Sequence, residues 1–175
     1  MDSRSENLLE IIRSRGTQGQ FVDYRRLPAQ DALTSPWPKW IPTPVVSTWR
    51  QSGVNEPWLH QVQALESIHS GHDVVIATGT GSGKSLVAWT PILSDLVQAD
   101  DSNRISDIHR RPSCLYISPT KALAADQLHS LNRLVDGLEH DVALALADGD
   151  TPREAKEWAR ANADIVLTNP DYLHY

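Results

Sequence analysis

The chain is 175 residues long, carries a formal net charge of −6 and contains a single cysteine. Its length accommodates one ordinary domain with a sizeable core, and its composition excludes a disordered chain. No apolar run reaches the ~18 residues of a membrane-spanning helix. No second cysteine exists within these residues for a disulfide or a Cys-rich zinc site, and Cys114, inside an apolar run, reads as a buried structural thiol. The opening peptide MDSRSENLLEIIRSRG lacks the long apolar core and cleavage site of a signal peptide, so a cytoplasmic protein is expected. Charge is unevenly spread, with seven Lys/Arg against six Asp/Glu in residues 1–56 and nine against sixteen in 57–175. An acidic second part argues against a broad basic field that coats nucleic acid. It leaves open a local grip on the phosphate backbone by helix N-termini and amides.

Taken in order, Leu8, Leu9, Ile11 and Ile12 form a short helical pattern over 5–15, closed by Gly16. Residues 17–56 are rich in proline (Pro28, Pro36, Pro38, Pro42, Pro44) and tryptophan (Trp37, Trp40, Trp49). The prolines preclude a long helix or a central strand, while each tryptophan has a large apolar area to bury. An extended arm across a globular body is expected, its tryptophans anchoring it rather than stacking on bases. Residues 57–70 predict a helix, with Pro57 at its first position after an Asn55 or Glu56 cap and Gly71 at its exit. Leu59, Val62, Leu65 and Ile68 would face the core.

The stretch from Asp73 to Ala99 is the most informative. Asp73–Ala77 is an apolar, β-branched run that predicts a buried strand. Thr78, Gly79, Thr80, Gly81, Ser82 and Gly83 form a glycine-alternating turn, and Lys84 opens a helix with Leu86, Val87, Ile92, Leu93 and Leu96 on one stripe. Strand, glycine loop, Gly-Lys-Ser and helix together describe a phosphate-binding loop. Glycines let successive amides turn inward on an anion, and the helix N-terminus adds its positive dipole end. Lys84 would reach the β- and γ-phosphates of ATP, and the Ser85 hydroxyl would ligate Mg²⁺. Thr78 stands where the strict pattern has glycine, but the flanking elements support the loop; the dinucleotide fingerprint does not fit the spacing.

Beyond it, 100–111 is polar and expected to be exposed. Cys114–Ile117 predicts a second strand, and Ser118-Pro119-Thr120 opens a helix running to about Val135. Asp141–Leu146 is a third strand. Thr151 is the expected cap of the next helix, with Pro152 at its first position, Glu154 completing a capping box and an end near Ala161. Asp164–Thr168 is a fourth strand, leading into a helical start at Asn169-Pro170. This alternation is an α/β pattern with a mainly parallel sheet covered on both faces. The peptides TGTGSGKS, SPTKALAADQ, ADGDTPRE and TNPD all follow strands, at the sheet edge where ligands collect.

In this order the four peptides resemble superfamily-two helicases of the DEAD/DEAH-box type, over residues 57–175. TGTGSGKS looks like motif I, residues 118–127 resemble motif Ia, Thr168-Asn169-Pro170-Asp171 resembles motif Ib, and Gly149-Asp150-Thr151 the glycine segment before it. His60-Gln61 is placed like the upstream glutamine that reads adenine. The resemblance is nearest to the bacterial branch whose full-length members end in a Cys-rich metal-binding domain. It implies a RecA-like P-loop domain over 57–175, preceded by an extension over 1–56. It also implies ATP and Mg²⁺ at Thr78–Ser85 with Gln61 on the adenine edge. One nucleic-acid strand, expected to be single-stranded DNA, would lie on Thr120, Lys121, Gly149, Asp150, Thr151, Thr168, Asn169 and Pro170.

No adjacent Asp-Glu pair occurs in the sequence, so the DExx motif of the family is not among these residues; Asp171-Tyr-Leu-His174 lacks the glutamate and sits on a helical start. The expectation is therefore the N-terminal part of a longer helicase, its RecA-like domain stopping before DExx and leaving a strand edge unpaired. A P-loop kinase or other nucleotide hydrolase is one alternative, against which Ser-Pro-Thr-Lys and Thr-Asn-Pro count. A nucleotide-binding protein without hydrolysis is the other.

Overall fold

The computed structural model describes residues 10–15, 33–79, 81–103 and 113–173. The start of the first expected helix, the first half of the Pro/Trp segment, Thr80 and most of the polar stretch 100–111 lie outside them. Two compact units are present, Met1–Ala32 and Leu33–Tyr175. In the first, residues 10–15 are helical, with Ile11 and Ile12 about half exposed.

The second unit begins in the Pro/Trp segment and holds nine elements among the described residues. They are α1 (Thr43–Gln51), α2 (Leu59–His69), α3 (Lys84–Asn103), β1 (Cys114–Ile117), α4 (Lys121–Val135), β2 (Leu144–Leu146), α5 (Arg153–Asn162), β3 (Ile165–Thr168) and α6 (Pro170–Leu173). The strands form a parallel sheet in the order β1-β3-β2, with Tyr116 and Leu146 both opposite Leu167. The central strand β3 is the most buried, as a β-branched run between two neighbours should be. Helix α3 supplies much of the core: Trp89, Leu93 and Leu96 are fully buried, joined by Leu65 from α2, Leu131 from α4, and Ile165 and Leu167 from β3. Pro91 lies inside α3. The buried hydroxyls of Thr90 and Ser94 donate to the carbonyls of Leu86 and Thr90, four residues back, so neither is left unsatisfied. Cys114 is half-buried, and burial pushes its thiol up, consistent with an inert side chain.

Three expectations are corrected. First, residues 33–56 are not simply an extended arm outside the domain. Pro42 and Pro44 sit at the N-cap and first turn of α1, where their missing N–H groups cost nothing, so they start a helix instead of breaking one. Val45, Thr48 and Trp49 bury one face of it. The Thr48 hydroxyl donates to Leu134 O at 2.8 Å, and a Cβ on Gly137 would stand 2.4 Å from Thr48 Oγ1. The tryptophans do anchor: Trp37 Nε1 donates to Asn55 O at 2.9 Å, and Trp40 stacks on His69 with centroids 4.3 Å apart.

Second, Asp73–Ala77 forms no ladder. Val75 is 93% exposed, and only Ile76 packs against the core. An apolar β-branched run becomes a strand only where a neighbour takes up its backbone groups, and among the described residues none pairs with it. The outer edge of β1 is likewise unpaired among the described residues, with Leu115 and Ile117 about half exposed. Third, two caps differ. Trp58, not Asn55 or Glu56, precedes α2, leaving Leu59 41% exposed. Pro152 is the N-cap of α5, because the Thr151 hydroxyl is drawn back to Asp148, 3.0 Å away.

Candidate nucleotide and strand site

The glycine loop before α3 takes the backbone shape its glycines allow. Gly81 (φ 77°) and Gly83 (φ 67°) occupy the left-handed region, where a Cβ would be strained. Lys84 is the first residue of α3, and its ammonium donates to the carbonyls of Thr78 at 2.9 Å and Gly79 at 2.8 Å. The hydroxyls of Thr78 and Ser82 are hydrogen-bonded at 2.5 Å. Ser85 is exposed, and its hydroxyl donates to Gln127 Oε1 on α4 at 3.2 Å.

Gln61 is buried, 5% exposed, and reaches this loop from α2. Its Nε2 donates to Ser82 O at 3.2 Å and Gly83 O at 3.1 Å, while its Oε1 accepts from the Trp58 amide at 2.8 Å. Both amide protons are therefore used, and one lone pair of Oε1 remains. The contact also explains Gly83, since a Cβ there would lie 2.5 Å from Gln61 Nε2. Beside this junction lies a cavity of about 620 Å³, lined among others by Thr34, Val54, Trp58, Gln61, Gly83 and Ser85. It falls within the usual range of small-molecule sites.

The residues present fit a nucleoside triphosphate. A lysine and two left-handed glycines stand at the N-terminus of a long helix, open space surrounds Gly79 and Gly81, and a nucleoside-sized cavity adjoins Gly83 and Ser85.

The second group of residues gathers where β1, β2 and β3 end. The helix expected to open at Ser118-Pro119-Thr120 begins at Lys121, and the Thr120 hydroxyl caps it, accepting from Leu123 N at 3.2 Å. Lys121 opens that helix, and its ammonium pairs with the Asp150 carboxylate from the loop after β2. That hydrogen bond, with the field of Asp150, Asp148 and Asp171, holds the Lys121 ammonium above its ordinary range. Asp148 shapes the same loop by accepting from the amides of Asp150 and Thr151 and the Thr151 hydroxyl. Desolvation alone would push its carboxyl up; those hydrogen bonds and Lys121 outweigh it, leaving the carboxyl below the usual range.

Thr168 and Asn169 are buried, 1% and 4% exposed. The Thr168 hydroxyl donates to Ala147 O at 2.6 Å and Asn169 Oδ1 accepts from Tyr172 N at 3.1 Å, so these side chains brace the turn. The resemblance places a strand on both; in the structure their side chains are buried and bonded within the turn. Pro170 is exposed. Lys121, Gly149 and Asn169 share a groove of about 790 Å³ with Lys156, Arg160 and Tyr172. Sequence reasoning assigned no role to these last three, and Gln127 entered only as the end of the motif Ia-like peptide. The only signal was the one-turn spacing of Lys156 and Arg160.

Against known proteins, the model of the DEAD/DEAH box helicase family matches residues 58–175. The chain is 32% identical over 171 residues to an uncharacterized ATP-dependent helicase, YprA, of Bacillus subtilis, covering 98% of this chain and 22% of that protein. It is 31% identical over 180 residues to the ATP-dependent helicase hrq1 of Schizosaccharomyces pombe, covering 98% of this chain and 16% of that one. The chain thus spans about a fifth of the length of the curated relatives it matches. Among solved structures, the helicase MrfA bound to DNA superposes with a TM-score of 0.77 at 31% identity, covering 95% of this chain and 22% of that one. MrfA bound to DNA and AMPPNP gives 0.78 at 30% identity, covering 97% and 22%. The parallel sheet, the helices around it and the loop cluster are those of a RecA-like helicase domain, and this chain belongs to the DEAD/DEAH box helicase family.

Proposed function

We propose that these residues form the ATP- and strand-binding part of an ATP-dependent DNA helicase or translocase. The observation that carries the reading is Lys84 at the head of α3, behind left-handed Gly81 and Gly83, with Ser85 bonded to the very helix that Thr120 caps and Lys121 opens. In this reading the amides of residues 79–85 and the Lys84 ammonium hold the β- and γ-phosphates, and Ser85 Oγ ligates Mg²⁺. Bound there, the cation neutralises charge on the phosphate oxygens. To reach phosphate, the ammonium exchanges the carbonyls of Thr78 and Gly79 for anionic oxygens, a stronger, charge-assisted contact. Gln61 can offer adenine only the second lone pair of Oε1, so holding the loop is its larger contribution. Outward amides at the start of α4 and in the loop at Gly149–Thr151, with Lys121, hold one DNA strand by its phosphates without reading its bases.

The test is nucleotide binding and phosphate release by the full-length protein, with and without single-stranded DNA, beside Lys84→Ala. Strand-stimulated hydrolysis abolished by Lys84→Ala is expected; hydrolysis indifferent to both would overturn the reading. The 175 residues by themselves, with no adjacent Asp-Glu pair, are expected to bind nucleotide weakly without turnover. Phosphate release well above the Lys84→Ala background would refute that.

A further inference from the structure

We infer that helix α5 carries a second phosphate clamp, in which Lys156 and Arg160 hold consecutive backbone phosphates of the strand beside Lys121. This rests on the strand-binding reading above and extends it to residues outside the motif-like peptides. Lys156 and Arg160 stand one helical turn apart, with Cβ atoms about 5–6 Å from each other, on the scale of one nucleotide step in an extended strand. Both line the groove of about 790 Å³ that also contains Lys121, Gly149 and Asn169. Lys121, Lys156 and Arg160 line that groove with one carboxylate, Asp171, and Lys121 is also paired with Asp150, so Lys156 and Arg160 supply the added positive charge.

The rest of α5 is arranged to leave those heads toward the groove. Ala159 faces the core, 4% exposed, and the Glu157 carboxylate is bonded to Arg153 at 2.8 Å. Lys156 Nζ sits 4.9 Å from the centroid of the Tyr172 ring. That contact restricts a flexible ammonium without neutralising it, which lowers the entropy lost when a phosphate is gripped. Tyr172 is in turn fixed by its amide's bond to Asn169. The groove thus explains how a chain with net charge −6 can hold a polyanion. Its positive charge is concentrated on one helix face and does not spread over the surface.

The test is binding of fluorescent oligo-dT by the intact protein in a salt titration, comparing wild type with Lys156→Gln/Arg160→Gln. Each phosphate contact to a single strand contributes a slope of about 0.7 in log K against log salt, so the double variant should lose about 1.4. Referred to 1 M salt, that corresponds to about 25-fold weaker binding at 0.1 M. The same loss is expected on a mixed-sequence oligonucleotide, because phosphate contacts carry no sequence information. The charge-preserving exchange Lys156→Arg/Arg160→Lys should keep the wild-type slope. If wild type binds oligo-dT and the Gln variant matches it in affinity and slope, the clamp is refuted while the strand reading stands. Loss of slope in the charge-preserving exchange also refutes it, since the charges are then not the contact. If wild type does not bind at all, both fail.

Discussion

Replacing Gln61 by alanine tests the most specific contact in the proposed nucleotide site. The change removes three hydrogen bonds, to Ser82 O, Gly83 O and the Trp58 amide, from a side chain 5% exposed. A typical protein hydrogen bond contributes ~1 kcal/mol net. Gly83 is exposed and Ser82 half-exposed, so water can replace the amide at both carbonyls, whereas the Trp58 amide loses a near neighbour. The expected destabilisation is about 2–3 kcal/mol, a large fraction of a domain's ordinary ~5–15 kcal/mol. For a chain of this size that lowers Tm by roughly 6–10 °C. Because the lost bonds hold the loop and not the base, ATP and GTP should weaken together, by up to about 10–30-fold if most of the loss falls on the loop's binding-competent conformation. The assay pairs thermal unfolding with fluorescent-ATP and fluorescent-GTP titrations. Selective loss of ATP, with Tm and GTP affinity unchanged, would refute the strut and return Gln61 to reading adenine.

Gly83→Ala should mimic this change from the other side, because its φ of 67° strains a Cβ that also lies 2.5 Å from Gln61 Nε2; nucleotide titration should show weakening of at least tenfold, given ~1–2 kcal/mol of backbone strain plus the lost amide bonds. Thr48→Val should cost about 0.5–1.5 kcal/mol by removing one of two hydrogen bonds at Leu134 O, which keeps the Gly137 amide at 3.3 Å, read as a lower urea midpoint at unchanged m. The depressed Asp148 carboxyl predicts an acid limb: its contribution is complete above the unfolded value near ~3.9 and is lost as pH falls through the lower folded value. Thermal melts from pH 6 down to pH 2 should therefore fall more steeply in wild type than in Asp148→Asn, and equal slopes would contradict the assignment.

Much of the site was legible because its signals are local. Glycines before Gly-Lys-Ser, the apolar run at Cys114–Ile117 and the β-branched run at Ile165–Thr168 each carry their own local signal. What stayed hidden depends on residues far away in sequence. Whether Asp73–Ala77 becomes a strand depends on a partner, which periodicity does not report. Pro42 and Pro44 look like helix breakers until the helix is seen to begin on them. Thr151 has the spacing of a cap, but Asp148 competes for its hydroxyl with shorter geometry. Only the Gln61 bond to the Trp58 amide is local; its grip on the loop lies in carbonyls 21 and 22 residues away, which no local pattern reports.

The bond between Ser85 and Gln127 has a thermodynamic consequence. Helix α4 carries Lys121 in its first turn and Gln127 six residues later, about 9 Å along one rigid rod. A group that draws the Ser85 hydroxyl to itself breaks the link at one end of that rod, while a phosphate on Lys121 competes with Asp150 at the other. The two events act on a shared body, so any preference of one for a given setting of the rod is felt by the other. Linkage makes the effect symmetric: the factor by which nucleotide alters strand affinity equals the factor by which strand alters nucleotide affinity. Under the proposed function, α4 is the element through which that factor would differ from one.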